Sequence, residues 1–246
     1  PWTAAAMFGE PFERLSFAFF PSNGAMIAAG TKYMVEKEGK KRFCYIYQDD
    51  DMGAEVKDNV EKVLAKSNLK IIEDAGYKRG ATDFSAQVAR VQRGNCDVLV
   101  LGAVPPAAAA ILQEMERRSW KVTVLGAGPA FEDNTIKLGK EAVEGMWAVG
   151  VIPNPDLERS PPAVQDWMKR FQAKYNMPAS LYAAYAYSFV NIMIEGLQKT
   201  GPNLTVDSFV KGMEQVQGYR TLFGSVISFS DKNRMGAAGA KLFHVQ

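Results

Sequence analysis

The amino-acid sequence predicts an α/β fold built from doubly wound parallel sheets. Between residues 41 and 151, short apolar segments alternate with amphipathic segments at a spacing of roughly 25 residues, the pattern of repeated strand–helix units. The first apolar segment, FCYIYQ, shows no polar alternation, as expected for a strand that is buried on both faces. With 246 residues, 47% of them hydrophobic, the chain can bury one large core or two smaller ones.

The first predicted strand, Phe43–Gln48, ends in the acidic turn QDDDMG and continues through Gly53 into a helix. In open α/β sheets, ligands bind beyond the carboxyl ends of the strands, where loops meet helix N-termini. Residues 48–53 are therefore a candidate rim of a binding cleft. The three aspartates at 49–51 could contact a ligand or cap the helix that follows, and we favour capping.

The next strands and helices follow the same periodicities. The predicted strands are residues 70–75, 97–103, 121–126 and 145–152. Between them, apolar residues share one helical face at Val56, Val60, Val63 and Leu64, at Phe84, Val88 and Val91, and at Ile111, Leu112 and Met115. Thr82 or Asp83 is expected to cap the second of these helices. Residues 41–151 thus predict one complete doubly wound lobe.

The rest of the chain predicts helices but few strands. The helical segments are 161–175, 181–200 and 205–217, and the strand segments are 16–20, 224–229 and 241–245. Because amphipathic helices need a sheet or partner helices to cover, we expect the remaining strands of this lobe in a segment that precedes Pro1. The incomplete first lobe would comprise residues 1–22 and 153–220, and the second lobe 23–152 and 221–246. Three crossings, at 21–24, 152–156 and 218–224, would form the hinge.

Charge and composition argue against several classes of partner. Lys and Arg number 29 against 27 Asp and Glu, a balance too even for a nucleic-acid-binding surface. No apolar run approaches the roughly 20 residues of a membrane-spanning helix. Cys44 and Cys96 lack metal-ligand spacing; a disulfide between them is possible if their strands are neighbours, but we favour buried free thiols. We predict no metal and no cofactor.

Enzyme motifs do not occur in this sequence. The segment GAGPAF, residues 126–131, resembles the start of a dinucleotide-binding fingerprint. It lacks the third glycine and follows the fourth strand of its lobe rather than the first, so we favour a loop close to a small ligand. His244 is the only histidine, and no nucleophile elbow, phosphate-binding loop or H-E-x-x-H motif is present. The sequence therefore predicts a binding protein and not an enzyme.

Four phrases, taken in order and spacing, carry a resemblance to a known family. They are FAFFPSNGAMIAAGTKYM, YIYQDDDMGAEV, YKRGATDFSAQVARVQRGNCDVLVLGAVPPAAAAILQ and AVEGMWAVGVIPNPD. The chain resembles the type I periplasmic solute-binding proteins of ABC importers, in the branched-chain amino acid (Leu/Ile/Val-binding) branch. The resemblance covers essentially the whole chain, with Pro1 matching a position roughly 100 residues into a typical member.

The resemblance implies a two-lobed type I periplasmic-binding-protein fold, truncated at its N-terminus, that closes on a small solute. It also implies a periplasmic or extracellular location and delivery of the solute to the membrane subunits of an ABC permease. A further partner could be the chain's own N-terminal segment or a second copy. The alternatives are a ligand sensor or regulator with the same fold and, less favoured, an α/β enzyme.

The resemblance also carries the family's ligand contacts onto this sequence. Trp2 and Thr3 match positions that hold a ligand carboxylate, and Met52 stands where an aromatic residue usually packs on the solute. The contacts after the third and fourth strands fall at 103–104 and 127–128. The full candidate set for ligand binding is Trp2, Thr3, Phe20, Asp51, Met52, Ala103, Val104, Ala127, Gly128 and Tyr182.

These residues predict an apolar pocket with a polar end. Where amino acid binders of the family place a carboxylate opposite the ligand's ammonium, this sequence has Ala127 or Gly128. Burial of an ammonium without a counter-charge costs several kcal/mol. We therefore expect an aromatic or aliphatic carboxylic acid without an amine. An amino-acid-like solute is the alternative, with the aspartates at 49–51 as the remaining source of negative charge.

Overall fold

A six-stranded sheet flanked by helices forms the larger part of the fold, seen in a computed structural model that describes residues 14–237 and 239–246. The helices are α1 (Asn23–Glu36), α2 (Asp51–Ala65), α3 (Ser85–Arg93), α4 (Pro105–Arg117), α5 (Asp133–Gly139), α6 (Pro162–Tyr175), α7 (Leu181–Thr200) and α8 (Val206–Glu214). The strands are β1 (Phe43–Gln48), β2 (Ile71–Tyr77), β3 (Val98–Gly102), β4 (Thr123–Gly126), β5 (Trp147–Gly150), β6 (Tyr219–Arg220), β7 (Val226–Ile227) and β8 (Lys241–His244).

The strand order of the large sheet is β2-β1-β3-β4-β5-β8. The first five strands are parallel and are joined through helices, whereas β8 returns antiparallel to β5. Chain order reverses at β1, whose neighbours are β2 on one side and β3 on the other. Such a reversal leaves a crevice at the carboxyl ends of the strands, which is the ligand position of open α/β sheets.

Alternate residues of β1 enter two different cores, as the geometry of a strand requires. Phe43 and Tyr45 pack with α1 and α2 on one face, and Cys44 and Ile46 pack with α3 and α4 on the other. This burial on both faces explains the uninterrupted apolar run in the sequence. The strand is therefore fixed in register with its neighbours, and its carboxyl end is held rigidly at the crevice.

A third, smaller core lies among α6, α7 and the segment around Phe223. One face of α7 is buried there and against α8, while another face is exposed along Tyr187, Val190, Met193, Ile194 and Leu197. No part of the chain that the structure describes covers this second face. None of the described helices is long and apolar enough to cross a membrane.

The predicted α/β fold class is confirmed, and both Phe43–Gln48 and Leu181–Thr200 have the bounds that the sequence predicts. The strand predicted at 16–20 is wrong, since this segment makes only an isolated bridge from Ala18 to Met235. Phe19 and Phe20 pack against Phe189 and Tyr185 of α7, and Phe17 packs against Phe229. A short apolar run does not distinguish such burial from a strand. Val226–Ile227 is likewise shorter than the strand predicted at 224–229.

Two local predictions also need correction. The N-cap of α3 is Phe84, without a side-chain hydrogen bond, whereas Asp83 accepts a hydrogen bond from the Ser85 N–H at 2.9 Å. Cys44 and Cys96 form a disulfide, with their Cα atoms 5.9 Å apart, and are not free thiols. Cys96 lies in the turn that leads into β3, next to β1, so the neighbouring positions of these two strands bring the sulfurs together.

Candidate functional site

A cavity of about 490 Å³ lies at the carboxyl ends of the parallel strands. The ends of β1 and β5, the N-terminal turns of four helices (α1, α2, α4 and α7), and the loop after β4 all contribute to its wall. Its lining residues are Phe20, Asn23, Met26, Gln48, Asp50, Asp51, Met52, Glu55, Arg79, Val104, Pro105, Gly128, Pro129, Glu132, Gly150, Val151, Tyr182 and Tyr185. A concave space with a mainly apolar wall and a few convergent polar groups is the usual form of a small-ligand site.

The candidate residues from the sequence divide into three groups. Those that line the cavity are Phe20, Asp51, Met52, Val104, Gly128 and Tyr182. Ala103 and Ala127 are fully buried directly before lining residues and do not line the cavity themselves. Trp2 and Thr3 lie outside the described residues. Contact of any of these residues with a ligand stays a prediction.

Asp50 organises the rim that the sequence predicts at residues 48–53. Its carboxylate caps α2 by accepting a hydrogen bond from the Gly53 N–H at 3.1 Å, and it also accepts one from the side-chain amide of Gln48. Arg79, which is mostly exposed, lies 3.3 Å from the same carboxylate. Partial burial raises the pKa of Asp50, but the Gly53 N–H, the Gln48 amide and Arg79 together bring this pKa below its ordinary value. Capping, which the sequence favours for this turn, is therefore confirmed for Asp50.

Glu55 extends this acidic wall across the cavity toward α1. Its Oε1 accepts a hydrogen bond from the Gly24 N–H in the first turn of α1, at 2.9 Å. A Cβ on Gly24 would lie 2.3 Å from Nδ2 of Asn59 and 2.9 Å from the same Glu55 oxygen, so glycine leaves room here for both side chains of α2. The two helices are thereby joined at the cavity, with the carboxylate between them.

The loop after β4 brings a second pair of carboxylates to the N-terminus of α7. Glu132 lines the cavity and is only 8% exposed, and burial raises its pKa even though a hydrogen bond from Tyr182 opposes this shift. Asp133 accepts a hydrogen bond from the Leu181 N–H at 3.1 Å. The first turns of α5 and α7 are thus linked by acidic side chains, one of which faces the cavity.

Aromatic rings form the apolar part of the wall. Phe20 lies edge-on to Tyr185, with ring centroids 4.5 Å apart, and Phe189 packs against Phe20 at 5.7 Å. Tyr182 lines the cavity and is partly exposed, and its partial burial and its hydrogen bond with Glu132 both raise its pKa. The cavity wall therefore offers aromatic rings from Phe20 and α7, with the carboxylate of Glu132 beside them, and further carboxylates from the start of α2.

The expectation of a pocket without an acidic partner is wrong for the described lining. The cavity wall contains the carboxylates of Asp50, Asp51, Glu55 and Glu132. The resemblance places the family's carboxylate at Ala127 or Gly128, whereas this chain carries Glu132 only four residues further on, just before α5. The pair Glu132–Asp133 at a helix start was the available signal, because acidic residues favour helix N-termini. No comparable signal marks Glu55 as a cavity residue, because it is one of many charged residues in α2.

Other chemistry finds no support in the described part of the chain. No group of three or more His, Cys, Asp or Glu side chains is placed to hold a metal ion there. The segment GAGPAF contributes the end of β4 and a short 3-10 helix, Gly128–Phe131, at the cavity wall. His244 packs against Trp147 between β5 and β8, away from the cavity. What the site offers is a shaped, charged space for a small molecule.

An open α/β sheet with a cavity at its strand ends defines the class of small-ligand-binding α/β proteins. Within this class, the chain belongs to the periplasmic binding protein family, whose model matches residues 3–246. Among curated relatives, the Leu/Ile/Val-binding protein of Citrobacter freundii is 23% identical over 189 residues, which cover 76% of this chain and 50% of the relative. The chain therefore spans about half the length of this relative.

Solved structures show the same fold at low sequence identity. A branched-chain amino acid ABC transporter protein from Thermus thermophilus with bound valine has a TM-score of 0.81 at 18% identity, covering 94% of this chain and 64% of its own. A solute-binding protein from R. palustris in complex with benzoate has a TM-score of 0.77 at 16% identity, covering 94% and 62%. At such identities the likeness concerns the fold, which is that of type I periplasmic binding proteins.

Proposed function

We propose that this chain is the solute-binding part of an extracytoplasmic receptor of an ABC importer. The observation that carries the proposal is the cavity at the strand ends and helix N-termini, in a chain that belongs to the periplasmic binding protein family. The family and the named relatives are solute-binding proteins and not enzymes. The Cys44–Cys96 disulfide supports a periplasmic or extracellular location, because disulfides persist in oxidising compartments.

For the solute, we infer a small amino-acid-like molecule that carries an amine. The buried carboxylate of Glu132 and the nearby Asp51 and Glu55 offer the counter-charge that a buried ammonium requires. The rings of Phe20 and Tyr185 would pack against the rest of the solute. The grip on a solute carboxylate is assigned, as the family resemblance implies, to Thr3.

An aromatic or aliphatic acid without an amine is the second candidate. It is favoured by the aromatic wall, and the neighbour crystallised with benzoate shows that this fold accommodates such a ligand elsewhere. Against it stands the cost of bringing a carboxylate close to several like charges in a partly buried site. The amine-bearing solute therefore fits the described wall better.

In the proposed mechanism, the two sets of elements close on the solute as lobes. One lobe comprises residues 1–22 and 153–220, including α7, and the other comprises 23–152 and 221–246, including α2 and α5. A solute that contacts both the α7 side and the strand-end loops binds the closed form more tightly than the open form, so it shifts the population toward closure. Closure would then present the receptor to the permease membrane subunits.

Binding by isothermal titration calorimetry tests this proposal on the 246-residue chain. L-Leucine, L-valine, L-phenylalanine and benzoate form the core of the panel, with L-lysine and 1,4-diaminobutane added for charge. The proposal expects at least one of these solutes to bind without being converted, and an amino acid to bind more tightly than benzoate. Absence of binding to every solute would contradict the receptor function, and tighter binding of benzoate would favour the second candidate.

A sensor or regulator with the same fold would bind its ligand in the same cavity. The two functions differ in what the closed form contacts. Stimulation of a permease's ATPase activity by the ligand-loaded chain, compared with the ligand-free chain, supports the transport receptor. No stimulation by a loaded chain would favour the sensor.

A further inference from the structure

Three helix N-termini at the cavity are already occupied by carboxylates of this chain. Glu55 accepts from the Gly24 N–H of α1, Asp50 from the Gly53 N–H of α2, and Asp133 from the Leu181 N–H of α7. A helix N-terminus is otherwise a favourable place for an anion, because its free N–H groups and its dipole both attract negative charge. These three positions are therefore less available to the carboxylate of a solute.

The fourth helix that begins at the cavity, α4, is poor in donors for a different reason. Its first two residues are Pro105 and Pro106, which have no N–H group. Val104, its N-cap, makes no side-chain capping hydrogen bond and presents an apolar side chain to the cavity. The helix thus offers the cavity carbon atoms where an anion would need hydrogen-bond donors.

The described lining residues also carry more negative than positive charge, which disfavours an anionic solute. Asp50, Asp51, Glu55 and Glu132 carry four negative charges against the positive charge of Arg79, among the described lining residues. Each helix N-terminus contributes about half a positive charge. Even with the N-termini of all four helices included, an excess of about one negative charge remains.

We propose that the cavity is specific for a solute with a net positive charge, such as a basic amino acid or a linear diamine. This inference rests on the proposed solute-binding function and narrows its ligand class. A neutral amino acid would leave most of the wall's negative charge unpaired, whereas a second ammonium or a guanidinium would pair with it. Glu132 is the principal counter-charge, because it is the most buried of the four lining carboxylates.

The geometry gives each part of such a solute a place. Phe20 and Tyr185, packed edge-on to each other, form an apolar surface, which suits the methylene chain of a basic amino acid or a diamine. The lining carboxylates belong to two separate elements, with Asp50, Asp51 and Glu55 at the start of α2 and Glu132 at the start of α5. Two separated cationic groups would thus each meet a carboxylate.

Calorimetric titration of the 246-residue chain tests the proposal with L-lysine, L-arginine and 1,4-diaminobutane against L-leucine, L-valine and benzoate. We expect at least one cationic solute to bind at least about tenfold more tightly than any neutral or anionic one. Its affinity should fall as the salt concentration rises, since screening weakens interactions between charges. Tighter binding of leucine, valine or benzoate than of every cation would overturn the charge inference and leave the receptor function intact.

Two conservative variants test which carboxylates pair with the cationic solute. Glu132→Gln and Asp51→Asn remove one negative charge each with little change of shape, and Asp51 is exposed, so its variant carries little risk of misfolding. Each should lower the affinity for the cationic solute, Glu132→Gln by about tenfold or more, and reduce its salt dependence. Glu144→Gln is the matched control, since Glu144 is exposed before β5, at the opposite end of the strand from the cavity.

The remaining outcomes are also decisive. If both cavity variants bind the cation as the unmodified chain does, the assignment of the counter-charge is overturned. An equal loss in Glu144→Gln would show a long-range effect of net charge and would overturn it as well. If no solute of either charge class binds, the receptor function itself is contradicted together with the inference.

Discussion

At the scale of single residues, Asp50 links the stability of α2 to the shape of the cavity rim. Its carboxylate caps the helix at Gly53 and also engages Gln48 and Arg79. We expect Asp50→Ala to lower the free energy of unfolding by about 1 kcal/mol, the usual cost of losing an N-cap. Urea denaturation followed by circular dichroism measures this loss.

Asp50→Asn distinguishes the contribution of helix capping from that of the negative charge, because asparagine caps helices as well as aspartate does. It should retain most of the stability at pH 7. The lowered pKa of Asp50 means that its ionised form stabilises the fold above an unfolded-state pKa of about 3.9, and this contribution is lost as the pH falls through the folded-state value. The asparagine variant should therefore show a smaller acid-induced loss of stability. An unchanged acid profile would contradict the assigned role of the charge.

The raised pKa of Glu132 predicts a pH dependence of stability that is opposite in sign to that of Asp50. Burial raises its pKa above 4.5, so the folded state holds this proton more tightly than the unfolded state does. The stability of the ligand-free chain should therefore decrease as the pH rises from about 4.5 through the folded-state pKa, and then level off. Glu132→Gln, which does not titrate, should lack this decrease. Thermal unfolding between pH 4 and 8 compares the two chains, with Glu144→Gln as control, and parallel curves would contradict the prediction.

The same residues show why the site was only partly predictable from sequence. The position of the rim at 48–53 follows from an apolar strand that ends in a turn, and Asp51 and Met52 line the cavity there, while their contact with a ligand stays a prediction. Glu132 was missed because its position depends on the short 3-10 turn Gly128–Phe131, whose path no local pattern specifies. Glu55 was missed because its hydrogen-bond partner, Gly24, belongs to a different helix, and the packing of two helices is not visible in a local sequence pattern.

At the scale of elements, the bounds of a strand or helix were predicted correctly where the segment keeps one hydrophobic pattern and one environment along its whole length. β1 is buried on both faces, and α7 begins at the Ser180 cap and ends before Gly201, so both have bounds that local sequence defines. The segment 16–20 has a strand-like composition, but it makes only one isolated bridge, from Ala18 to Met235, and its rings pack against α7 and Phe229. The disulfide depended on the adjacency of β1 and β3, which the linear sequence does not give.

The junction between β1 and α2 is the tightest contact of the cavity rim. A Cβ on Gly53 would lie 2.0 Å from the carbonyl oxygen of Gln48, which is a backbone atom and cannot move aside cheaply. Gly53→Ala should therefore displace the start of α2 and lower the free energy of unfolding by roughly 1–3 kcal/mol. It should also weaken binding of whichever solute the chain accepts.

Glu61→Ala is the control for this change, since Glu61 is an exposed position on the same helix. Its effect on stability should stay within about 0.5 kcal/mol. Urea denaturation and calorimetric titration of both variants provide the comparison. Native stability in Gly53→Ala would show that the β1–α2 turn relaxes more easily than its geometry indicates.

At the scale of the whole molecule, the cavity joins parts of the chain that are far apart in sequence. Its wall combines the α2 rim, the loop after β4 and the first turn of α7, which belong to different proposed lobes. Charge near the solute should determine which ligand binds, and contacts between the two sides should determine how readily they close. We expect the first property to depend on Glu132, at the end of the loop after β4, and the second on Asp133, the first residue of α5.

A variant of Asp133 tests whether solute selectivity and closure depend on different residues. Asp133 accepts a hydrogen bond from the Leu181 N–H at 3.1 Å and does not line the cavity. Asp133→Ala removes an acceptor that links α5 to α7, so it should destabilise the closed arrangement and lower the affinity for every solute by a similar factor. A hydrogen bond that involves a charged group contributes about 1.5–3 kcal/mol, which corresponds to roughly tenfold or more in affinity if it forms only on closure. Calorimetry with one cationic and one neutral solute should give equal losses for both, whereas Glu132→Gln should weaken the cation selectively. Asp83→Ala, which removes a comparable bond to the Ser85 N–H in an exposed turn, should leave both affinities unchanged. A change in the ratio of the two affinities in Asp133→Ala would show that Asp133 acts on the solute directly and not through closure.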